Sequence, residues 1–160
     1  MATPKLGYLL KLPKFDHLEA KTIEEACSLL AKYKGKARVI AGGTDLLVSM
    51  KGREISPQYI INIKAIPNLD GINYSRKDGL VIGAMTTLAA IESSPIIGER
   101  FPILSYAAHQ TGSPHIRNIG TIGGNLCNAA PSADMAPSLI GLGAKAKIKG
   151  LKGNYIWDKR

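Results

Sequence analysis

Two pairs of adjacent glycines constrain this chain more than any other feature. One lies in "VIAGGTDLL", Val39 to Leu47, and the other in "GTIGGNLCNAAPSAD", Gly120 to Asp134. Glycine has no Cβ, so it accepts positive φ and lets a second backbone, or a ligand, come against its own. Both pairs stand beside threonine and an Asp or Asn, unlike the charged, serine-rich composition of a linker. Successive N–H groups in such turns form a concavity for anions. Two of them in one chain are expected to clamp a pyrophosphate from two sides. With 17 glycines in 160 residues, most pairs only make turns. Neither stretch is a GxGxxG or GxxxxGK[ST] nucleotide fingerprint. The residues by themselves therefore lead to a phosphate cradle and no further.

The segments around the glycines alternate helix and strand. Thr22 and Glu25 form a capping box. Ile23, Ala26, Cys27, Leu30 and Tyr33 follow at helical spacing, with Gly35 suited to the end of the helix. "ARVIAGG" reads as a buried strand running into the first glycine turn. "DLLVSMK" reads as a short helix with Asp45 at its start, where a carboxylate is favoured. "QYIINI" is a strand, and "GINYSRKDGLVIGA" a hairpin turning near Asp78 and Gly79. "TTLAAIESSP" and "IIGERFPILSYAAHQTG" are helices, Pro102 suiting the first turn of a second piece. A glycine loop follows, and then "PSADMAPSLIGLGA", a helix interrupted by Pro137. "AKAKIKG" is a half-exposed strand, and "LKGNYIWDKR" a turn with a returning strand, Tyr155 and Trp157 packing inward. The connector "KAIPNLD" divides the chain into subdomains 1–63 and 64–160. The hairpin patterning favours an α+β fold with mixed and antiparallel sheets over a doubly wound parallel one.

Composition excludes several classes. Hydrophobic residues at 45% and charged residues at 21% describe a globular chain, and no apolar run is long enough to span a bilayer. The N-terminus lacks a long apolar region and a small-residue cleavage site, so the cytoplasm is the default location. Cys27 and Cys127 stand far apart with no Cys/His cluster, which argues for buried free thiols rather than a metal site. His17, His109 and His115 form no cluster, and His115, beside the second pair, reads as a surface imidazole. The net charge of +9 is spread along the chain without interleaved aromatics. It suits an acidic protein partner or an anionic cofactor at least as well as nucleic acid.

Three stretches in order, "AGGTDLLVSMK", "GLVIGAMTTLAAIESSP" and "IRNIGTIGGNLCNAAPSADMAPSLIGLGA", resemble the FAD-binding (medium) subunit of the molybdenum hydroxylases. This is the xanthine dehydrogenase and aerobic carbon monoxide dehydrogenase family. The resemblance runs from about Lys11 to Ile148. It implies a two-subdomain FAD-binding fold of the vanillyl-alcohol-oxidase/PCMH type, with FAD held between the subdomains. It places a first diphosphate loop on Val39, Ile40, Ala41, Gly42, Gly43, Thr44, Asp45 and Leu46, and a second on Thr121, Ile122, Gly123, Gly124 and Asn125. Asp134 resembles the residue that bonds the ribityl chain, and Thr111 and Gly112 fall in the segment approaching the adenosine.

The same resemblance implies an oxidoreductase subunit with no catalytic side chain and no metal of its own. Electrons would reach FAD from 2Fe–2S clusters in a small partner subunit, after a molybdopterin-binding large subunit has oxidised the substrate. The redox chemistry belongs to the flavin, and the protein supplies position and electrostatics. Members of the family usually continue into a further α/β domain past the point where this sequence ends, at Arg160. Two other readings remain open here: a truncated module that binds FAD or a partner without turnover, and a stand-alone FAD oxidoreductase of the vanillyl-alcohol-oxidase-like fold. Arg117 and Asn118 set the geometry of the second stretch or meet a neighbouring subunit.

Overall fold

The structure is a computed structural model that describes residues 11–130 and 133–157. The expected lack of a leader concerns residues 1–10, which lie outside the described residues. Strands β1 (Asp16–Glu19), β2 (Ala37–Ile40) and β3 (Tyr59–Asn62) form one sheet in the order β1-β3-β2. Both pairings are parallel, with Val39 opposite Ile61 and Ile40 opposite Asn62. The antiparallel preference expected from the sequence therefore fails in this half. The physical reason is the connections: helix α1 (Ile23–Lys32) joins β1 to β2, and helix α2 (Leu46–Lys51) joins β2 to β3. A helical crossover returns the chain to the same end of the sheet, which makes the next strand parallel.

Helix α1 starts where its sequence demands. The Glu25 N–H donates to Thr22 Oγ1 at 3.0 Å, and Glu25 Oε2 accepts from the Lys21 N–H at 2.8 Å. Its inner face joins Ala20, Ala26, Ala37, Ile61 and Ile66 in a first core, bordered by Leu18, Leu29, Tyr59 and Leu69. Tyr33 stacks on Tyr59 with ring centres 3.9 Å apart.

The second half begins with the expected hairpin, β4 (Ile72–Ser75) and β5 (Gly79–Ile82), which is antiparallel. Ser75 Oγ accepts the Asp78 N–H at 2.8 Å across the turn, and Gly79 sits at φ 72°. Six short helices follow: α3 (Leu88–Ser93), α4 (Pro95–Arg100), α5 (Pro102–Gln110), α6 (Pro114–Ile119), α7 (Ile122–Asn128) and α8 (Met135–Gly141). Pro95, Pro102 and Pro114 open their helices, where no N–H is required. Leu88, Ile91, Ile97, Leu104, Ala107, Ala108, Ile122 and Met135 form a second core. Pro137 does not interrupt α8, because it lies in the first turn, whose N–H groups have no helical acceptor.

The last two strands, β6 (Ala146–Gly150) and β7 (Gly153–Trp157), make the expected terminal hairpin. It folds back on α1: Lys149 Nζ lies 3.2 Å from Glu24 Oε1, and the Cys27 thiol donates to the Lys149 carbonyl at 3.7 Å. Tyr155, expected to pack, is exposed, and the Trp157 side chain lies outside the described residues. Neither thiol is fully buried as expected: Cys27 is half-buried and Cys127 exposed.

Candidate functional site

The first glycine stretch leaves the carboxyl end of the parallel sheet. Val39 and Ile40 belong to β2, Ala41 to Asp45 form the turn, and Leu46 opens α2. Gly43 adopts φ 85°, a backbone that a Cβ would strain. Gly42 is needed for another reason. A Cβ there would overlap the carbonyl oxygen of Ile119 and come within 3.0 Å of the Gly120 Cα. The two glycine stretches, far apart in sequence, thus meet backbone to backbone.

Among the described residues, no N–H from Ala41 to Leu46 donates a hydrogen bond. Backbone N–H groups left without a protein partner need water or a ligand. Asp45 precedes α2, but its carboxylate caps nothing; it accepts from the Thr44 hydroxyl at 3.2 Å.

The second stretch is not a loop. Thr121 caps α7, its hydroxyl accepting the Gly124 N–H at 3.1 Å, and its backbone makes an antiparallel bridge with Thr87. The Ile122 N–H donates to Thr86 at 3.0 Å, the Gly123 N–H to Ala84 at 2.9 Å, and the Asn125 N–H to Thr121 at 2.9 Å. The donors from Ile122 to Asn125 are therefore taken by the protein. Among the described residues, the expected cradle is therefore asymmetric: the N–H groups of the first turn have no protein acceptor, whereas those from Ile122 to Asn125 are engaged. Gly123 is small because a Cβ would sit 2.6 Å from the Ala84 carbonyl oxygen. At Gly124 the nearest atom to such a Cβ, the helix backbone and chain neighbours aside, is Thr121 Oγ1 at 3.0 Å, and among the described residues no other such atom lies within 4 Å. Among the described residues the Oδ1 atom of Asn125 is buried without a partner, a state that costs about 1–3 kcal/mol unless something meets it.

The remaining expected site residues sit at helix ends. Thr111 closes α5, its hydroxyl donating to the Ala107 carbonyl at 2.9 Å, and Gly112 follows at φ 58°. Asp134 precedes α8, is exposed, and makes no capping bond.

Sequence reasoning overlooked what holds these segments. The segment Ala84 to Thr86 supplies the carbonyls that fix α7. Arg117 is buried, with Nε 2.7 Å from Glu92 Oε2, and it donates through Nη1 to the Gly112 carbonyl at 3.0 Å. His109 Nδ1 lies 2.7 Å from Glu92 Oε1. The His109 hydrogen bond, together with Arg117, holds the Glu92 carboxyl below its ordinary value of 4.5. Arg117 was legible as a residue setting loop geometry, but Glu92 is distant in sequence and carried no local signal. Two surface depressions lie elsewhere. One of about 260 Å³ is bounded by Gly35, Arg38, Pro57 and Gln58, and one of about 480 Å³ lies beside Cys27 and Lys149. Among the described residues no group of His, Cys, Asp and Glu could hold a metal ion, and no helix is long and apolar enough to cross a membrane.

Comparison with known proteins converges on one description. The family described as "FAD binding domain in molybdopterin dehydrogenase" matches residues 13–157. The carbon monoxide dehydrogenase medium chain of Hydrogenophaga pseudoflava is 38% identical over 143 residues, covering 88% of this chain and 49% of its own. The nicotinate dehydrogenase FAD-subunit of Eubacterium barkeri is 38% identical over 140 residues, covering 87% and 47%. A solved carbon monoxide dehydrogenase from Hydrogenophaga pseudoflava superimposes with a TM-score of 0.88 at 36% identity, over 93% of this chain and 52% of that one. The chain spans about half the length of the relatives it matches.

Proposed function

Because the chain belongs to the family of FAD-binding domains of molybdopterin dehydrogenases, we propose that it is the FAD-carrying electron-transfer subunit of a molybdenum-containing dehydrogenase. FAD is the cofactor of this family. In this reading a molybdopterin-binding large subunit and a 2Fe–2S small subunit are its partners. The chain receives electrons from the iron–sulfur side and passes them to an acceptor. The fold is that of the vanillyl-alcohol-oxidase/PCMH type, with subdomains 1–63 and 64–160. Two separate cores support two subdomains, although they part between Leu69 and Ile72, so that Ile66 and Leu69 pack with the first.

One observation carries the proposal: among the described residues the N–H groups from Ala41 to Leu46 are unclaimed, in a turn whose Gly42 lies against Ile119 and Gly120. A diphosphate is the part of FAD that such donors suit. Val39 and Ile40 aim the turn, Gly43 gives it its φ, and Thr44 and Asp45 border it. Thr121, Ile122 and Gly123 hold the opposite wall in place, and Gly124 leaves it without a side chain. Asn125 and Asp134 offer acceptors to the sugar-like chain, and Thr111 and Gly112 border the adenosine side. Bound FAD supplies the redox chemistry, while these residues bind and orient it. In this reading no side chain of this chain needs to act as a general acid or base.

Titrating the 160-residue chain with FAD, FMN and riboflavin tests the reading. FAD is expected to bind most tightly, because only it carries a diphosphate. Equal affinity for FMN, or no flavin binding at all, would overturn it.

A further inference from the structure

Arg117 is the one buried arginine among the described residues, and its guanidinium ties α3 to the turn that precedes its own helix. Two of its nitrogens face the two oxygens of Glu92 on α3, at 2.7 and 3.4 Å. A third donates to the carbonyl of Gly112, in the turn after α5. Arg117 itself lies on α6, two residues before Ile119, whose carbonyl receives the bare backbone of Gly42. Glu92 is fixed in turn. The Ser105 hydroxyl of α5 donates to its carbonyl at 2.8 Å, and His109, one turn further along α5, holds the carboxylate. A planar fork paired with both carboxylate oxygens sets direction as well as distance, which an ammonium cannot do.

We propose that the Glu92–Arg117 pair positions the cofactor cradle, holding the Thr111–Gly112 turn and the Ile119–Thr121 backbone at a fixed separation beside the first glycine turn. Neither residue touches the cofactor; both are positioning residues. The inference rests on the FAD-binding reading above. It assigns Glu92, a residue outside both glycine stretches, to the performance of the site. Lysine at 117 keeps the charge but cannot reach the carboxylate and the Gly112 carbonyl together. Glutamine at 92 keeps an acceptor but turns a donor toward Arg117.

The test compares the parent chain, Arg117→Lys, Glu92→Gln, the double variant, and Ile61→Val as a control in the first core. FAD affinity is read by flavin fluorescence and stability by thermal melting without ligand. Each single variant is expected to bind FAD about tenfold more weakly, the lower end of the loss seen when outer-shell partners are removed from metal sites. The double variant should lose no more than the worse single one, because the two residues act as a unit. Ile61→Val should melt earlier and bind FAD like the parent. If Glu92→Gln and Arg117→Lys melt earlier yet bind FAD like the parent, the pair is only structural and the proposal is wrong. Additive losses in the double variant would also reject it. A parent chain that fails to bind FAD would overturn the cofactor reading itself, and this inference with it.

Discussion

Replacing Gly42 with alanine tests the contact on which the site is built. A Cβ at this position overlaps the Ile119 carbonyl oxygen and lies 2.9 Å from its carbon and 3.0 Å from the Gly120 Cα. All three atoms are backbone, so no rotamer change can relieve the clash. Either the first turn or the segment after α6 must move. Forcing an extra methyl group into a filled space costs about 1–3 kcal/mol. Against this stands a gain of about 0.4–1 kcal/mol, because alanine has fewer unfolded conformations than glycine. Each kcal/mol shifts the melting temperature by about 2–4 °C at this chain length, so a fall of several degrees is expected. FAD affinity should suffer more than stability, because the displaced backbone carries the free N–H groups. Misaligning one charge-assisted hydrogen bond removes about 1.5–3 kcal/mol, roughly ten- to a hundredfold in affinity. Thermal melting without ligand and a fluorescence titration with FAD measure both effects. An alanine variant that melts and binds like the parent would show that the two stretches are not in contact, and the reasoning would fail.

Three further outcomes follow from other atoms. Gly124→Ala should keep or slightly raise stability without ligand, since alanine is favoured over glycine inside a helix by about 1 kcal/mol, yet weaken FAD binding; unchanged affinity in a titration would place the ligand elsewhere. Asn125→Leu removes a buried acceptor that has no partner among the described residues; melting should occur later without FAD, and the gain on adding FAD should shrink. Glu92 is held below its ordinary carboxyl value, so its contribution is complete well above pH 4.5, begins to fall near it and is gone once pH drops below the lower folded value. Acid unfolding followed by circular dichroism should therefore show a steeper loss below that pH in the parent than in Glu92→Gln, and identical curves would count against the pairing.

Local signals in the sequence were reliable where one short window contains the whole cause. Thr22 and Glu25 start α1, Asp78 and Gly79 turn a hairpin, and Pro102 opens a helix. The parallel sheet was hidden because strand direction depends on partners tens of residues away. β1, "DHLE", was missed because it has no apolar alternation. The second glycine stretch read as a loop because glycine is a poor helix former. It is helical because the Thr121 cap and the carbonyls of Ala84 and Thr86 hold it. α6 carried a usable signal, Ser113 followed by Pro114 as cap and first residue. Glycine chemistry singled out two segments that meet in the fold, but it could not separate their roles. Gly42 and Gly123 make room for another backbone, Gly43 provides a left-handed turn, and Gly124 alone is bordered by just one side-chain atom.

The contact at Gly42 also bears on how the chain melts. Gly42 follows a strand of the first core, whereas Ile119 ends a helix packed beside the second. Two cores in one chain open separately when little couples them. A ligand that requires both walls of such a seam binds only when both cores are native, so its binding free energy opposes the opening of either one. Without FAD, amide hydrogens of the two cores should exchange at two distinct rates. Saturating FAD, if it spans the seam as proposed, is expected to act as a linchpin, slowing both sets together and merging two unfolding units into one cooperative block.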